Sequence, residues 1–193
     1  MLPGILVETV AFNSVYSGMG LSTDYSKGLF DRFRSLPIWP LSPFAGLMVG
    51  DVLRHLIAAT IILAIGLGIG YRPEAGVLGV IGAFALLVAV GFGIGWVFIV
   101  LGLLIRTPTT VMTLGFGILF PVVFASNILV DPETMPNWLS TFVAWNPFSW
   151  MATAMRGLMG GGVTVSEILL ALALPAFLTV LLAPLTLFIY LRR

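Results

Sequence analysis

The run from Gly76 to Ile105 constrains the fold most, because its 30 consecutive residues carry no charged side chain. About 20 apolar residues suffice for a helix to cross a bilayer, whereas a membrane strand needs only about 10. Charged residues make up 9% of the whole chain, against about 25% in soluble domains. The chain therefore predicts an all-α integral membrane protein whose solvent is lipid.

Four further apolar runs bring the number of predicted transmembrane helices to about five, within a single transmembrane domain covering residues 1–193. Each run is long enough to cross the hydrocarbon core. The predicted spans are Leu2–Leu21, Val49–Gly70, Gly76–Ile105, Thr110–Ile128 and Val165–Leu191.

The basic residues predict the orientation, because cytoplasmic loops of membrane proteins are enriched in lysine and arginine. If the first loop is cytoplasmic, only Arg72 and Arg156 lie outside. The other basic residues are then inside, namely Lys27, Arg32, Arg34, Arg54, Arg106, Arg192 and Arg193. We therefore expect a multi-pass protein of the cell membrane with Met1 outside and the C-terminus in the cytoplasm.

Residues 129–162 follow the fourth span and predict two helices that are too short to cross a bilayer. The first begins at Pro136 and places four apolar side chains on one face, namely Trp138, Leu139, Phe142 and Val143. The second has Asn146 as its N-cap and Pro147 in its first turn. Its apolar stripe comprises Phe148, Met151, Met155 and Leu158, and the glycines at 160–162 end it.

This stretch carries a resemblance to a known family. Its pattern is Met135-Pro136, then Trp138, then Asn146-Pro147, then Arg156-Gly157 before the glycine cluster. It resembles the membrane permeases of type-2 ATP-binding-cassette exporters, in particular the daunorubicin-resistance branch. The resemblance implies that residues 129–162 form an outer re-entrant helical hairpin. The alternative is an amphipathic hairpin that lies on the membrane surface without a special role.

The first loop, residues 22–44, contains a second pattern of that family. Phe30, Phe33 and Leu36 share a helical face, and Pro37, Pro40 and Pro43 are expected to end any helix. The resemblance implies that this cytoplasmic loop docks a separate ATPase subunit through Asp24, Gly28, Phe30, Asp31, Arg32, Phe33, Arg34, Leu36 and Pro37. The alternative is a solvated positive loop that only anchors the orientation.

Permeases of this family usually have six spans, and the segment from Leu2 to Phe12 resembles the start of their second. We therefore expect that a first span is missing, either through a start site placed too late or in a shortened variant. Translation of the reading frame upstream of Met1 distinguishes the two.

The first predicted span is the most polar. Ionisable groups within membranes are costly, so they face a protein interior or a cavity. Glu8, about 9 Å from the helix start, either reaches the interface or lines a pathway. The residues that we predict as possible pathway-lining groups are Glu8, Asn13, Ser17, Ser126 and Asn127. In the second span, Asp51 and Arg54 lie three residues apart and are expected to pair.

Catalysis within the chain is improbable. It has no cysteine and one histidine, which excludes disulfides, thiolate chemistry and histidine-cluster metal sites. Its one lysine, Lys27, is not in a P-loop, so ATP and Mg²⁺ are expected on the partner chain, with no cofactor or metal here. Gly66, Gly68 and Gly70, and Gly91, Gly93 and Gly95, lie in apolar spans and are expected to allow close helix packing.

The sequence thus predicts the permease subunit of an ATP-driven exporter. The resemblance implies an amphiphilic drug, antibiotic or lipid as substrate. It also implies two partners, an ATP-binding-cassette ATPase and a second permease copy or paralogue, with no role for nucleic acid. The alternatives are a polysaccharide exporter, a non-transporting scaffold or inactive fragment, and a proton-driven transporter that uses Glu8.

Overall fold

The computed structural model describes residues 1–29, 42–105, 107–128 and 137–192, with the side chains of residues 137–139, 191 and 192 left out. These residues form helices and contain no β-strand, so the all-α prediction is confirmed. The helices are α1 Leu2–Ser26, α2 Ser42–Gly68, α3 Gly76–Leu104, α4 Pro108–Phe124, α5 Asn137–Trp145, α6 Pro147–Gly160 and α7 Val165–Arg192.

Three of the described helices, α2, α3 and α7, are long and apolar enough to cross a membrane. Helix α4 is apolar but has 17 residues, which at about 1.5 Å per residue gives about 26 Å against a hydrocarbon core of about 30 Å. Helix α1 is long enough at 25 residues, but polar side chains interrupt its apolar sequence. The stability of α1 and α4 in a bilayer therefore depends more on contacts with neighbouring helices than that of α2, α3 and α7 does.

The long helices run up and down between two ends of the bundle. At the Met1 end, Leu2 of α1 contacts Gly66 of α2. At the Ser26 end, the Ser22 hydroxyl donates to the carbonyl of Ile105, 2.8 Å away, just after α3. The ring of Phe44 in α2 meets Tyr190 of α7 at this same end. The short helices α5 and α6 lie at the Met1 end, where the Ala75 amide donates to Met159 O at 3.2 Å.

The core of the bundle is the pair α1 and α3, which make the most extensive contact in the molecule. Glycine permits it: a Cβ added at Gly18 would overlap Phe98 O, and one added at Gly102 would overlap Gly18 O. Small residues at such crossings let membrane helices approach to backbone contact. Around this crossing, α1 also packs against α2, α4 and α6.

The boundaries differ from the predicted ones mainly around the first loop. Helix α1 continues to Ser26, and α2 begins at Ser42 rather than Val49. Pro43, which we expected to end a helix, lies in the first turn of α2, a position where proline is tolerated because the amide there has no intrahelical partner. Helix α4 ends at Phe124, so Ser126 and Asn127 follow the helix instead of completing it.

The second hairpin helix forms as its sequence predicts. Asn146 caps α6, and its side chain accepts a hydrogen bond from Phe148 N at 2.9 Å. Phe148, Met151 and Met155 are buried against the bundle, and Leu158 is partly buried. Gly161 ends the helix in the left-handed conformation, with φ +81°. The Gly162 amide then donates to Gly157 O at 3.1 Å.

The first hairpin helix differs from its prediction. Helix α5 buries Val143, but the neighbouring Phe142 is 58% exposed. These two residues therefore do not share a buried face, since successive residues in a helix are about 100° apart. The side chains of Trp138 and Leu139 lie outside the described part of the chain.

Candidate functional site

One side of α1 is left open by the other described helices, and it carries three polar residues in the first two thirds of that helix. Glu8, Phe12, Asn13 and Tyr16 are partly or largely exposed. They recur at intervals of three and four, so they form one stripe along the helix. We call this stripe, with the neighbouring phenylalanines of α4, the open face.

Helix α4 contributes a ladder of aromatic rings to the open face. Phe12 stacks on Phe116 with ring centroids 5.6 Å apart, and it also lies 6.2 Å from Phe120. Phe120 in turn stacks on Phe124 at 4.3 Å. Tyr16 meets Phe116 edge-to-face at 6.2 Å. The rings thus continue from the middle of α1 to the end of α4, a surface suited to flat apolar ligands.

Glu8 makes the open face unsuitable for contact with lipid alone. Within the described residues, no ion pair or hydrogen bond involves its side chain. A carboxylate exposed to hydrocarbon costs several kcal/mol, so such groups face protein or water-filled cavities. Glu8 must therefore be met by the membrane interface, by water or by another protein chain.

Ser17 lies on the opposite, packed side of α1, next to the polar group of α2. Asp51 is 6% exposed and pairs with Arg54 at 3.1 Å, which confirms the predicted pair. The Ser17 hydroxyl is buried and has no hydrogen-bond partner among the described residues. His55, one turn further on, is buried against Gly91 of α3. Ser17 therefore lies on the opposite side of α1 from Glu8, one helical turn from Asn13.

Asn146 joins the end of α4 to the start of α6. Its side-chain nitrogen donates to two carbonyls at the end of α4, Val122 O at 2.7 Å and Ala125 O at 2.8 Å. Its side-chain oxygen caps α6, as described above. One side chain, 4% exposed, therefore satisfies backbone groups at two helix termini that would otherwise be unpaired.

The chain after α4 is held against α6 by a second polar group. The Asn127 amide donates to Ser149 Oγ, and its side-chain nitrogen donates to Thr153 Oγ1, each at 3.1 Å. Arg156 donates to the carbonyls of Asn127 and Ile128, the latter at 3.1 Å. Ser126 is also buried and donates to Val123 O. Ser126 and Asn127 thus lie together and buried in this junction, whereas Glu8 is partly exposed.

Several predicted site residues lie outside the described part of the chain. Of the docking pattern, these are Phe30, Asp31, Arg32, Phe33, Arg34, Leu36 and Pro37. Asp24 is in the last turns of α1, and Gly28 follows that helix with φ +69°. Of the hairpin pattern, Met135 and Pro136 lie outside, and so does the side chain of Trp138. Gly157 packs against Val163, where an added Cβ would lie 3.0 Å from Val163 Cα.

Sequence reasoning missed two sets of residues: the phenylalanines of α4 in the open face, and the hydroxyl residues of α6 that bind Asn127. Phe116, Phe120 and Phe124 recur every four residues in α4, a spacing that predicts one face but not the helix that it meets. Ser149 and Thr153 have the same spacing in α6, on the face that meets Asn127. In both cases the signal was periodicity, and the partner lay more than 20 residues away.

Comparison with known proteins places the chain in context. The family model described as ABC-2 type transporter matches residues 1–159. The chain is 43% identical over 189 residues to the daunorubicin resistance ABC transporter permease of Streptomyces coeruleorubidus. That match covers 98% of this chain and 67% of the relative. It is 27% identical over 158 residues to the doxorubicin resistance ABC transporter permease of Mycobacterium tuberculosis, covering 82% of this chain and 55% of that protein. No solved structure matches the chain.

Proposed function

The chain belongs to the ABC-2 type transporter family, and on that premise we propose that it is the permease subunit of an ATP-driven exporter of amphiphilic compounds. The observation that carries the proposal is the open face, where Glu8 and Asn13 lie beside aromatic rings on a helix that packs in the bundle core. The names of the two relatives support a drug as substrate.

The open face suits an amphiphile because it combines two kinds of contact. The stacked rings of Phe12, Phe116 and Phe120 offer apolar area to a flat ring system. Glu8 and Asn13 offer polar partners to its hydrophilic groups. A second permease copy or a paralogue would cover this stripe and enclose a pathway between the two chains, which also removes Glu8 from lipid.

The energy would come from a separate ATPase chain that carries the nucleotide and Mg²⁺. The proposed docking segment is the first loop, where Phe30, Phe33 and Leu36 would fill an apolar groove. The charges of Asp31, Arg32 and Arg34 would fix the orientation. In this arrangement the Ser26 end and the C-terminus are cytoplasmic, and the hairpin α5–α6 faces outward.

The test is reconstitution of the chain with its candidate ATPase in vesicles, measuring ATP-dependent movement of daunorubicin and substrate-stimulated ATP hydrolysis. We expect Arg32→Glu and Phe33→Ala to leave insertion intact while copurification of the ATPase and transport fall at least about tenfold, equivalent to about 1.4 kcal/mol. Arg72→Glu, an equal charge reversal in the loop between α2 and α3, is the control.

Two results would contradict the proposal at different points. If both docking variants couple ATP hydrolysis to transport like the parent, the first loop only fixes the orientation of the protein through its positive charge. An absence of ATP-dependent transport by the parent with a bound, active ATPase would count against the exporter itself. Single cysteines test the orientation: we expect an impermeant thiol reagent added to intact cells to label positions 72 and 138 but not 32 and 193. Labelling of position 32 from outside would contradict the proposed orientation.

A further inference from the structure

A cavity of about 220 Å³ lies inside the hairpin, between α5, α6 and the turn after α4. Its walls include Asn127, Val143, Ser149, Trp150 and Thr153. Pockets that hold a whole drug-sized molecule usually measure about 300–1,000 Å³, whereas a water molecule occupies about 30 Å³. The cavity is therefore too small for an entire drug but large enough for one ring.

The polar wall of this cavity contains an unused hydrogen-bond acceptor. Asn127 is 8% exposed, and its backbone and side-chain nitrogens both donate to α6, as described above. Its side-chain oxygen, Oδ1, has no hydrogen-bond partner among the residues that the structure describes. Leaving such a buried group unpaired is unfavourable, so Oδ1 gains from a donor brought by a ligand.

Two hydroxyl groups stand next to this acceptor. Ser149 Oγ and Thr153 Oγ1 each accept a hydrogen bond from Asn127, and a hydroxyl that accepts can still donate its own proton. The wall therefore offers one acceptor and two donors within a short distance. A neutral alcohol group, which both donates and accepts, matches this set.

The remaining walls are mostly apolar, with Ser140 as the one further polar lining residue among those described. The indole of Trp150 donates to Ala144 O at 2.9 Å, which occupies its polar atom and leaves its ring for apolar contact. Val143, 1% exposed, is a second apolar wall residue. Of the described residues, those that line the cavity include no ionisable side chain, which favours a neutral ligand. A sugar ring has this chemistry, with apolar C–H faces and hydroxyl groups at its edge.

We infer that this cavity is a subsite for the neutral, hydroxylated end of the transported amphiphile, such as a sugar ring, at the hairpin end of the pathway. The inference rests on the proposed exporter function, because it assigns to one part of the substrate a place separate from the open face. The rings of the open face then take the flat apolar part.

The test compares two ligands that differ only in hydroxyl groups, tritiated octyl β-glucoside and its tetra-O-methyl ether. Binding is measured with the full chain in nanodiscs, and protein-free nanodiscs supply the background. We expect the parent to prefer the glucoside about tenfold, which corresponds to one or two net hydrogen bonds. Asn127→Leu should remove most of this preference, and Thr153→Val should reduce it about threefold without a change of side-chain shape.

Thr186→Val is the matched control, because Thr186 is also buried but lies in α7 near Tyr190. Its preference should equal that of the parent. A parent that binds both ligands equally, or a preference that survives both cavity variants, would overturn the inference and leave a cavity that holds only water. Thr153→Val decides the matter if Asn127→Leu fails to fold.

ATP-driven export of the glucoside, measured in parallel, separates the two proposals. A preference that depends on Asn127 without any export supports the subsite and contradicts the exporter. Export that is unaffected by Asn127→Leu, together with an unchanged preference, supports the exporter and contradicts the subsite.

Discussion

The two sides of α1 differ in how closely they are packed. On one side, Gly18 brings the helix to backbone contact with α3, and the contact residues Leu6, Val10 and Val15 are fully or almost fully buried. On the other side, Tyr16 is 41% exposed and Glu8 has no partner in the described chain. One helix thus serves as a structural core on one side and as an accessible surface on the other. We expect substitutions on the packed side to change stability, and those on the open side to change transport.

The largest expected effect is that of Gly18→Ala on the packed side. The added Cβ would overlap Phe98 O, a backbone atom that cannot move away as a side chain would. We expect a loss of about 3 kcal/mol or more in stability, at the upper end for overpacked cores, and little folded protein in the membrane fraction. Gly20→Ala, with nothing within 4 Å of its Cβ, should behave like the parent in yield and thermal denaturation. If the two variants have equal yield and thermal stability, the packed and open sides of α1 do not differ in their contribution to stability.

Asn146→Ala should have the next largest effect, because it disconnects α4 of the open face from α6 of the packed side. Loss of the cap costs about 1 kcal/mol, and each bond to α4 about 1 kcal/mol more. Thermal denaturation should therefore show a loss of about 2–3 kcal/mol, and transport should fall more than expression.

Asn146→Ser keeps a capping oxygen, because serine is also a preferred N-cap residue, but it has no side-chain nitrogen to donate to Val122 and Ala125. It should recover the cap alone, and so lie between alanine and the parent. If Asn146→Ala transports at the parent rate, the junction is passive packing.

The smallest effect on stability should be that of Glu8→Gln on the open face. The substitution keeps the side-chain volume and removes the charge, so we expect a stability change within about 0.5 kcal/mol. Transport of a cationic amphiphile should nevertheless fall about tenfold, the equivalent of one charge-assisted contact. Glu74→Gln, in the exposed loop after α2, is the control. A stability loss in Glu8→Gln without a transport defect would assign Glu8 to the core.

The features that were predictable from the sequence are those set by neighbouring residues. The Asn146-Pro147 start, the methionine stripe and the glycine stop of α6 are local signals within a few residues of one another, and all are present. The helices α1, α2, α3, α4 and α7 also follow from apolar runs, although α4 is shorter than a typical span and α2 begins seven residues earlier than predicted, at Ser42. Ser42-Pro43 is itself a helix start signal. The prediction missed it because Pro43 was grouped with Pro37 and Pro40 as a residue that ends a helix.

The contacts between helices were not predictable, because they depend on how each helix is rotated. Of the glycines in the two runs, Gly66, Gly91 and Gly93 meet other helices, whereas Gly68 and Gly95 have nothing within 4 Å. The decisive crossing uses Gly18 and Gly102 instead. Likewise, Glu8 and Ser17 were grouped as polar residues of one span, and the structure places them on opposite sides of α1.

The double role of Asn146 has a consequence for biosynthesis. When α4 leaves the ribosome, Val122 and Ala125 are 24 and 21 residues ahead of the asparagine that will satisfy their carbonyls. Helix α4 is also short for the hydrocarbon core, so unpaired carbonyls at its end are costly in lipid. We therefore expect α4 to settle in the bilayer only once the hairpin has been synthesised. With a single cysteine introduced into α4, a nascent chain released after residue 145 should leave that cysteine accessible to an aqueous thiol reagent, whereas one that extends past α6 should not.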